Sequence, residues 1–382
     1  MRRLTAALLA CVVFGTLAVT PTRGDAGAVA GNPSQPGAIV SASPSSFTPN
    51  IMNGTVLTMA KVGNWIVVGG TFTLVRNAGS TQNIARRNVF AFDSVTGRVS
   101  DTFAPNPNRA VFKVLPTMDG KSVYLGGSFT KITSSKQVVA SSRLAKLSVT
   151  TGNRVSGFRP GSINGTVRDM ELTGNRLWVA GKFTLLHGRK QRALGTINAR
   201  TGAYDRYFTG IFSGLHRPQL KGSKTSVLAI SVSRTGRELV AVGNFKRVNG
   251  SARSQIAKFG LSAKKYTLSN WRTRLYESAC SKRFESYVTD VSYSPNGSYF
   301  VVSTTGGYGG ATASLSGRSG CDVVARFEAK RSGRSIAPTW TAYTGGDTTW
   351  TVEVTQDVIY AGGHQRWQNN PTRGNSTGQG AV

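Results

Sequence analysis

Four carboxylates raise the first chemical question: Asp169 and Glu171, two residues apart, and Asp290 and Glu353 at equivalent places in later stretches of similar pattern. In an extended strand the side chains at i and i+2 share one side, so Asp169 and Glu171 would face the same way. Paired carboxyls can divide the work of glycoside hydrolysis, one donating a proton to the leaving oxygen while the other attacks or activates water. The competing reading is that they hold water or pair with Lys113 and nearby arginines, and the sequence favours it. The aligned positions are Thr58, Lys113, Asp169, Ala229, Asp290 and Thr351, so no acidic ring or calcium ladder repeats along the chain. Other chemistries have less support. His187, His216 and His364 lie in separate stretches without metal-ligand spacing. No Gly-x-Ser-x-Gly turn presents a nucleophilic serine, and no cofactor motif occurs. The expectation is therefore no catalytic, metal-binding or cofactor-binding residues, with enzymatic activity left open.

The elements that would position these groups recur along the chain. Ile66-Val67-Val68-Gly69-Gly70-Thr71-Phe72 returns as Val123-Tyr124-Leu125-Gly126-Gly127-Ser128-Phe129, then as Leu177-Trp178-Val179-Ala180-Gly181-Lys182-Phe183 and Val240-Ala241-Val242-Gly243-Asn244-Phe245. A degenerate copy sits at residues 301–304 and a clear one at residues 359–364. The first four aromatics are 57, 54 and 62 residues apart. Ahead of each Gly-rich strand lies a short alternating strand (56–60, 111–115, 167–171, 227–231 and 288–292), often joined to it by a Gly or Asn turn, which predicts a hairpin. A polar loop and a third strand follow (89–92, 144–147, 193–197, 256–259 and 323–327), then a turn with Gly97, Gly152 or Gly202, and a fourth strand bearing Phe103, Phe158, Phe208, Trp271 or Trp340. Four antiparallel strands per unit with no helical period predict an all-β chain, a β-propeller of about six four-stranded blades. Small residues late in the second strand would let blades approach closely, and the aromatic after them would fill the wedge.

The unit of about 55 residues, with Gly-Gly-x-Phe, a third strand such as Arg143-Leu144-Ala145-Lys146-Leu147, a Thr-Gly turn and Phe-x-Pro (Phe103-Ala104-Pro105 and Phe158-Arg159-Pro160), resembles the delta-60 type β-propeller repeat of secreted bacterial proteins. The resemblance covers roughly residues 47–382. It implies a propeller and says little about function, since such repeats occur beside adhesion-like modules.

Charge is the stronger functional signal. The 382 residues hold 47 Lys plus Arg against 16 Asp plus Glu, a net charge of +31. Residues 111–290 alone carry 31 basic and 8 acidic residues. In a propeller the loops between second and third strands and those between blades emerge on one face. Here these loops hold Lys131, Lys136, Arg189, Lys190, Lys246, Arg247, Lys282 and Arg283 among others. Such a face attracts polyanions through its summed field. Lys246, Arg247, Lys282 and Arg283 are the candidate contacts, and an anionic cell-wall polymer or acidic polysaccharide the candidate partner. No nucleic-acid module is recognisable.

Arg2-Arg3 followed by an apolar run to Val19 and the small-x-small triplet Ala28-Val29-Ala30 predicts a signal peptide over residues 1–30, a linker over 31–45 and the propeller over 46–382. The apolar run is too short to span a bilayer, so no transmembrane segment is expected in the exported chain. Cys280 and Cys321, left after removal of the signal, predict one disulfide. Five Asn-x-Ser/Thr triplets occur, four of them at Asn-Gly turns, where turn chemistry explains them. The sixth unit yields two strands and then a polar stretch over 365–380, so the last blade is expected to lack its third strand, with Phe47 of Phe47-Thr48-Pro49 closing the ring from the other end. The reading reached is an exported, non-catalytic propeller that binds through its basic face, associated with adhesion or the cell envelope. The alternative is a secreted carbohydrate-active enzyme using Asp169, Glu171 and Asp290.

Overall fold

A computed structural model describes residues 40–41, 43–134, 138–218, 220–277, 280, 284–306, 320–345, 348–365 and 368–369. The signal segment, most of the linker, Lys136, Lys282, Arg283 and residues 370–382 lie outside the described residues.

Among the described residues every regular element is a strand. The alternating first strands (Val56–Val62, Val111–Pro116, Thr166–Thr173, Ala229–Val232, Val288–Tyr293 and Thr349–Val354) pair antiparallel with the Gly-rich second strands (Trp65–Gly70, Ser122–Gly127, Arg176–Lys182, Glu238–Val242, Tyr299–Thr304 and Ile359–Gly363). In units one to five the second strand also pairs with a third: Val89–Asp93, Leu144–Ser148, Leu194–Asn198, Ile256–Leu261 and Val323–Glu328. Fourth strands are short, Tyr204–Asp205, Tyr266–Leu268 and Trp340–Tyr343, and shrink to the single bridges Phe92–Val99 and Leu147–Arg154 in units one and two. Each first strand packs against the first strand of the unit before it, from unit one to unit six, so the sheets stand side by side in the manner of propeller blades.

The glycines set the spacing between sheets. A Cβ on Gly126 would lie 2.7 Å from Val167 Cγ1 of the next unit, and the same holds for Gly69 and Val111. Both valines are fully buried, so burying a branched side chain worth about 1.5–3 kcal/mol depends on the missing methyl opposite it. Gly97, with φ +71°, closes the turn after the third strand of unit one, and its absent Cβ would meet the backbone of Phe47. Gly152 and Gly202 stand in the same relation to Phe103-Ala104-Pro105 and Arg159-Pro160. The Phe-x-Pro segment of one unit thus rests on the Thr-Gly turn of the next.

Three features differ from the sequence reading. First, Phe103, Phe158, Phe208 and Trp271 lie three or four residues beyond the paired part of the fourth strand, where the chain turns inward and buries them completely. In unit five the Arg326–Trp340 pairing puts Tyr343, not Trp340, at the equivalent place; Tyr343 is buried and Trp340 lies exposed on the outer strand. Ladder register decides this, since a slip of three residues changes which side a residue faces. Second, several of the polar loops are hairpins: Leu74–Arg76 with Ile84–Ala85, Lys131–Thr133 with Val138–Ala140, Leu185–Leu186 with Arg189–Lys190, and Arg247–Val248 with Ser251–Ala252. Connectors between units add to them, as Asn50–Ile51 and Phe212–Ser213 do. Asn53, Asn108 and Asn164 in the connectors each accept two backbone N–H groups from the next hairpin at 2.8–3.2 Å. That structural task accounts for the triplets at Asn53 and Asn164. Third, five first strands carry a register shift at one aligned place, between Val56/Thr58, Val111/Lys113, Val167/Asp169, Val288/Asp290 and Thr349/Thr351. Alternation alone does not reveal such bulges, which re-aim side chains.

Cys280 and Cys321 are joined by a disulfide with Cα atoms 5.8 Å apart, stitching the connector into unit five to the loop before its third strand.

Candidate functional site

The bulges place Thr58, Lys113, Asp169, Asp290 and Thr351 at one level of the innermost strands. The two aspartates are committed to neighbouring units. Asp169 takes the Lys113 ammonium at 2.7 Å, accepts its neighbour Met170 N–H at 2.8 Å, and accepts Ile230 N–H of unit four at 2.7 Å. Asp290 accepts Val291 N–H at 2.9 Å, the Thr351 hydroxyl at 2.7 Å and Val352 N–H of unit six at 3.1 Å. Neutral side chains do the same elsewhere: Thr58 accepts Val114 N–H at 3.1 Å, Ser231 accepts Tyr293 N–H at 3.0 Å, and Ser292 accepts Val354 N–H at 3.1 Å. The shared arrangement is a staple, in which an acceptor on one first strand satisfies an N–H on the next. A strand whose outward N–H groups lack sheet partners needs such acceptors. Asp169 and Asp290 therefore have their oxygens engaged in holding blades, and the pairing of Asp169 with Lys113 is the one the sequence reading favoured over catalysis.

Glu171 and Glu353 lie two residues further along their strands, at matching register against Trp178 and Tyr360. Among the described residues the Glu171 carboxyl accepts no hydrogen bond. Burial pushes its pKa up to about 8; Lys113 opposes the rise, while Asp169, Glu353 and Asp290 add to it. Burial and the Asp290 charge raise Glu353 to about 7 against the pull of Lys113. Asp290 goes up to about 6 through burial, restrained by the Thr351 hydroxyl. Burial works against the charge of Lys113, but Asp169, Glu171 and Asp290 outweigh it and hold the ammonium above the usual lysine range. The structure thus brings the four carboxylates into one electrostatic cluster around Lys113. Residues skipped by the bulges were missed in the sequence: the Arg168 guanidinium lies 4.2 Å over the Phe112 ring of the preceding unit. Both are the skipped residue of their strands, and only the register shows it.

The hairpins and connectors carry the basic residues. Lys246 and Arg247 are exposed, as are Lys131, Arg189, Lys190, Lys221, Lys224 and Arg274. Among the described residues none of these forms an ion pair with a carboxylate. Arg87 is exposed too, and with Arg86, Lys131, Asn106, Asn108 and Thr130 it lines an open groove of about 720 Å³ between units one and two. Sequence reasoning missed this groove because its walls come from two units. Glu285, an acid near these loops, is engaged by Lys182 and by Lys224 N–H at 3.3 Å.

The histidines are dispersed. His216 is buried with its ring 5.0 Å from Tyr287, edge to face, and burial followed by the Arg217 and Lys246 charges lowers its pKa to about 4. Among the described residues no three His, Cys, Asp or Glu side chains converge to hold a metal.

No family model and no curated protein matches the sequence. Among the solved structures similar in shape are these two. Hydrazine synthase of Kuenenia stuttgartiensis aligns with a TM-score of 0.49 and 14% identity over 84% of this chain and 76% of that one. The β-propeller domain of Myceliophteria thermophila Cps50 (Swd1) aligns with a TM-score of 0.41 and 14% identity over 83% of this chain and 96% of that one. Among the described residues no helix is long and apolar enough to cross a membrane. The topology itself makes the chain an all-β protein of propeller type.

Proposed function

We propose that the protein is an exported, non-catalytic binding module of delta-60 type, built on about six blades and associated with adhesion or the cell envelope. Its ligand is a polyanion, an acidic polysaccharide or anionic cell-wall polymer, bound on the face formed by the hairpins and connectors. The observation that carries this reading is the run of exposed cations there, including Lys131, Lys190, Lys246 and Arg247, which form no ion pair with a carboxylate among the described residues. The groove beside Arg87 and Lys131 has the volume of a site for a short oligomer.

The test is an array of glycans and cell-wall polymers probed with residues 31–382 at two salt concentrations. Exposed charges are screened with a Debye length of about 8 Å at physiological ionic strength, so binding should fall steeply with salt. It should also weaken when Lys246, Arg247, Lys282 and Arg283 become Gln. Binding indifferent to salt and to these changes overturns the reading. The enzymatic alternative keeps one supporting observation, the raised Glu171 and Glu353, which would be proton donors near neutral pH. Polysaccharide cleavage that disappears in Glu171→Gln would favour it.

A further inference from the structure

The connector between units one and two is locked to the hairpins on either side of it. The Asn88 side-chain amide donates to Pro107 O at 2.7 Å, Arg87 N–H donates to Asn106 Oδ1 at 3.0 Å, and Thr133 N–H donates to Pro105 O at 3.0 Å. Asn108 N–H donates to Lys131 O at 2.9 Å, while its Oδ1 takes the N–H groups of Thr130 and Lys131. These bonds hold the two walls of the groove of about 720 Å³ at a fixed separation. A site whose walls are set before a ligand arrives loses less binding free energy to ordering them.

The side-chain hydrogen-bonding capacity left over in this groove is largely donor capacity. Asn106 and Asn108 have their side-chain oxygens engaged by backbone N–H groups and one amide hydrogen each engaged by Ala104 O and Thr130 Oγ1, so what each still offers is its second N–H. The Thr73 and Thr130 hydroxyls accept from the amides of Asn53 and Asn108 and keep their own O–H to donate. Arg87 and Lys131 are exposed, and their side chains are donors only. Arg86 spans to Ala85 O at 2.8 Å and Ser100 O at 2.7 Å, and its buried Nε has no hydrogen-bond partner. Among the described residues no carboxylate lines the groove.

The fold does not ask for both exposed cations. At the place of Arg87 unit two carries Ser142, and at the place of Lys131 unit three carries Leu185. The connector holds Arg87 by its backbone, and among the described residues the Arg87 and Lys131 side chains make no hydrogen bond or ion pair. Arg86 differs, since Arg253 fills its place in unit four with the same pair of bonds, to Ala252 O and Ser269 O at 2.6 Å, so that guanidinium belongs to the frame. The geometry points to this groove as a binding site for the oxyanions of a short polyanionic chain, the carboxylates of a uronic-acid oligomer or the phosphates of a polyol-phosphate oligomer. Arg87 and Lys131 are its charged contacts, and the spare donors of Asn106, Asn108 and Thr130 complete them. A wall of donors leaves the hydroxyl hydrogens of a neutral sugar without acceptors, whereas an oxyanion brings acceptors alone and makes the stronger, charge-assisted bonds. This inference rests on the polyanion reading and adds to it a defined place and ligand chemistry.

The experiment is titration calorimetry of the purified protein with a galacturonate tetramer, its uncharged methyl ester and a glycerol-phosphate tetramer. At least one of the two anionic tetramers should bind, and which of them does identifies the source of the oxyanions; the ester should not bind. Arg87→Gln combined with Lys131→Gln should weaken that binding about tenfold or more, the loss expected for charge-assisted contacts. Lys246→Gln combined with Arg247→Gln, in the hairpin of unit four, should change it by less than about twofold at physiological salt, where distant charges are screened. The single change Lys131→Glu should also weaken binding, and it keeps the test in force if the double variant does not fold. Ester binding as tight as the acid, equal loss in the two double variants, or no binding of either anionic tetramer overturns the groove. A long anionic polymer held equally by wild type and by the Arg87 and Lys131 variant also overturns it, and leaves the basic face standing. The broader polyanion reading fails on a different result, a wild-type protein that retains no anionic polymer at all.

Discussion

Replacing Asp169 with alanine strips three partners at once: the Lys113 ammonium, the N–H of Met170 and the N–H of Ile230 across the blade joint. Removing one member of a buried ion pair costs about 3–5 kcal/mol because the other charge is left uncompensated. Lys113 keeps 27% of its side chain exposed, so the lower end applies, about 3 kcal/mol. Asp169→Asn retains an acceptor for Ile230 N–H while losing the charge, and should cost roughly half as much. Combining Asp169→Asn with Lys113→Met removes both charges and should recover part of that loss, since no buried ammonium then remains. The assay is urea unfolding of residues 31–382 of each variant, read by circular dichroism, with the slope checked so that midpoint shifts report stability. If Asp169→Ala lies within about 1 kcal/mol of wild type, or the double variant is no better than the sum of its parts, Asp169 is not a staple.

The raised Glu171 and Glu353 make a second expectation. With folded pKa values of about 8 and about 7 against an ordinary glutamate value of 4.5, both carboxyls take up protons on folding. Stability should therefore be highest below about pH 4.5 as far as these groups decide it, and should be lost as pH rises through 7 to 8. Glu171→Gln should flatten that decline between pH 6 and 9 by roughly 2 kcal/mol, allowing for partial exposure; an unchanged profile rules out the shift. Gly126→Ala should destabilise by about 1–3 kcal/mol because its methyl group would press on Val167 Cγ1, and an Ala variant as stable as wild type would show that the sheets can separate freely. The unreduced protein should show no alkylatable thiol at Cys280 or Cys321 by mass, and replacing both with Ser should cost roughly 4 kcal/mol in the chain-entropy view of a 41-residue closure.

The strand pattern was legible because each unit repeats the same solution: the Gly-Gly pairs, the Thr-Gly turns and the alternating first strands all carry their reason locally. The disulfide was legible from the count of cysteines, since Cys280 and Cys321 are the two thiols beyond the N-terminal apolar run. What failed was register. Trp340 looked like the heir of Trp271 because both are large aromatics after a third strand, yet hydrogen-bond pairing assigns that place to Tyr343. Lys113 was legible as a partner of Asp169, but register hid its second partner, the N–H of Ile230, 61 residues away on the first strand of the next unit. Glu171 was named among the candidates, but its raised pKa arises from burial and from charges on other units, which no single stretch encodes.

The staples run in one direction. Thr58, Asp169, Ser231, Asp290 and Ser292 each offer an oxygen forward to the unit that follows, and Val114, Ile230, Tyr293, Val352 and Val354 receive it. A unit of this kind carries its own plug and its own socket. Tandem duplication of a whole unit would then copy a complete joint and leave the flanking joints intact, whereas a breakpoint within a first strand would separate plug from socket. Inheritance in whole units is the form of change the chain tolerates most easily, and unit two shows how a joint survives when the acceptor is lost: at the place of Thr58 it carries Lys113, and the Asp169 of the next unit reaches back to meet it.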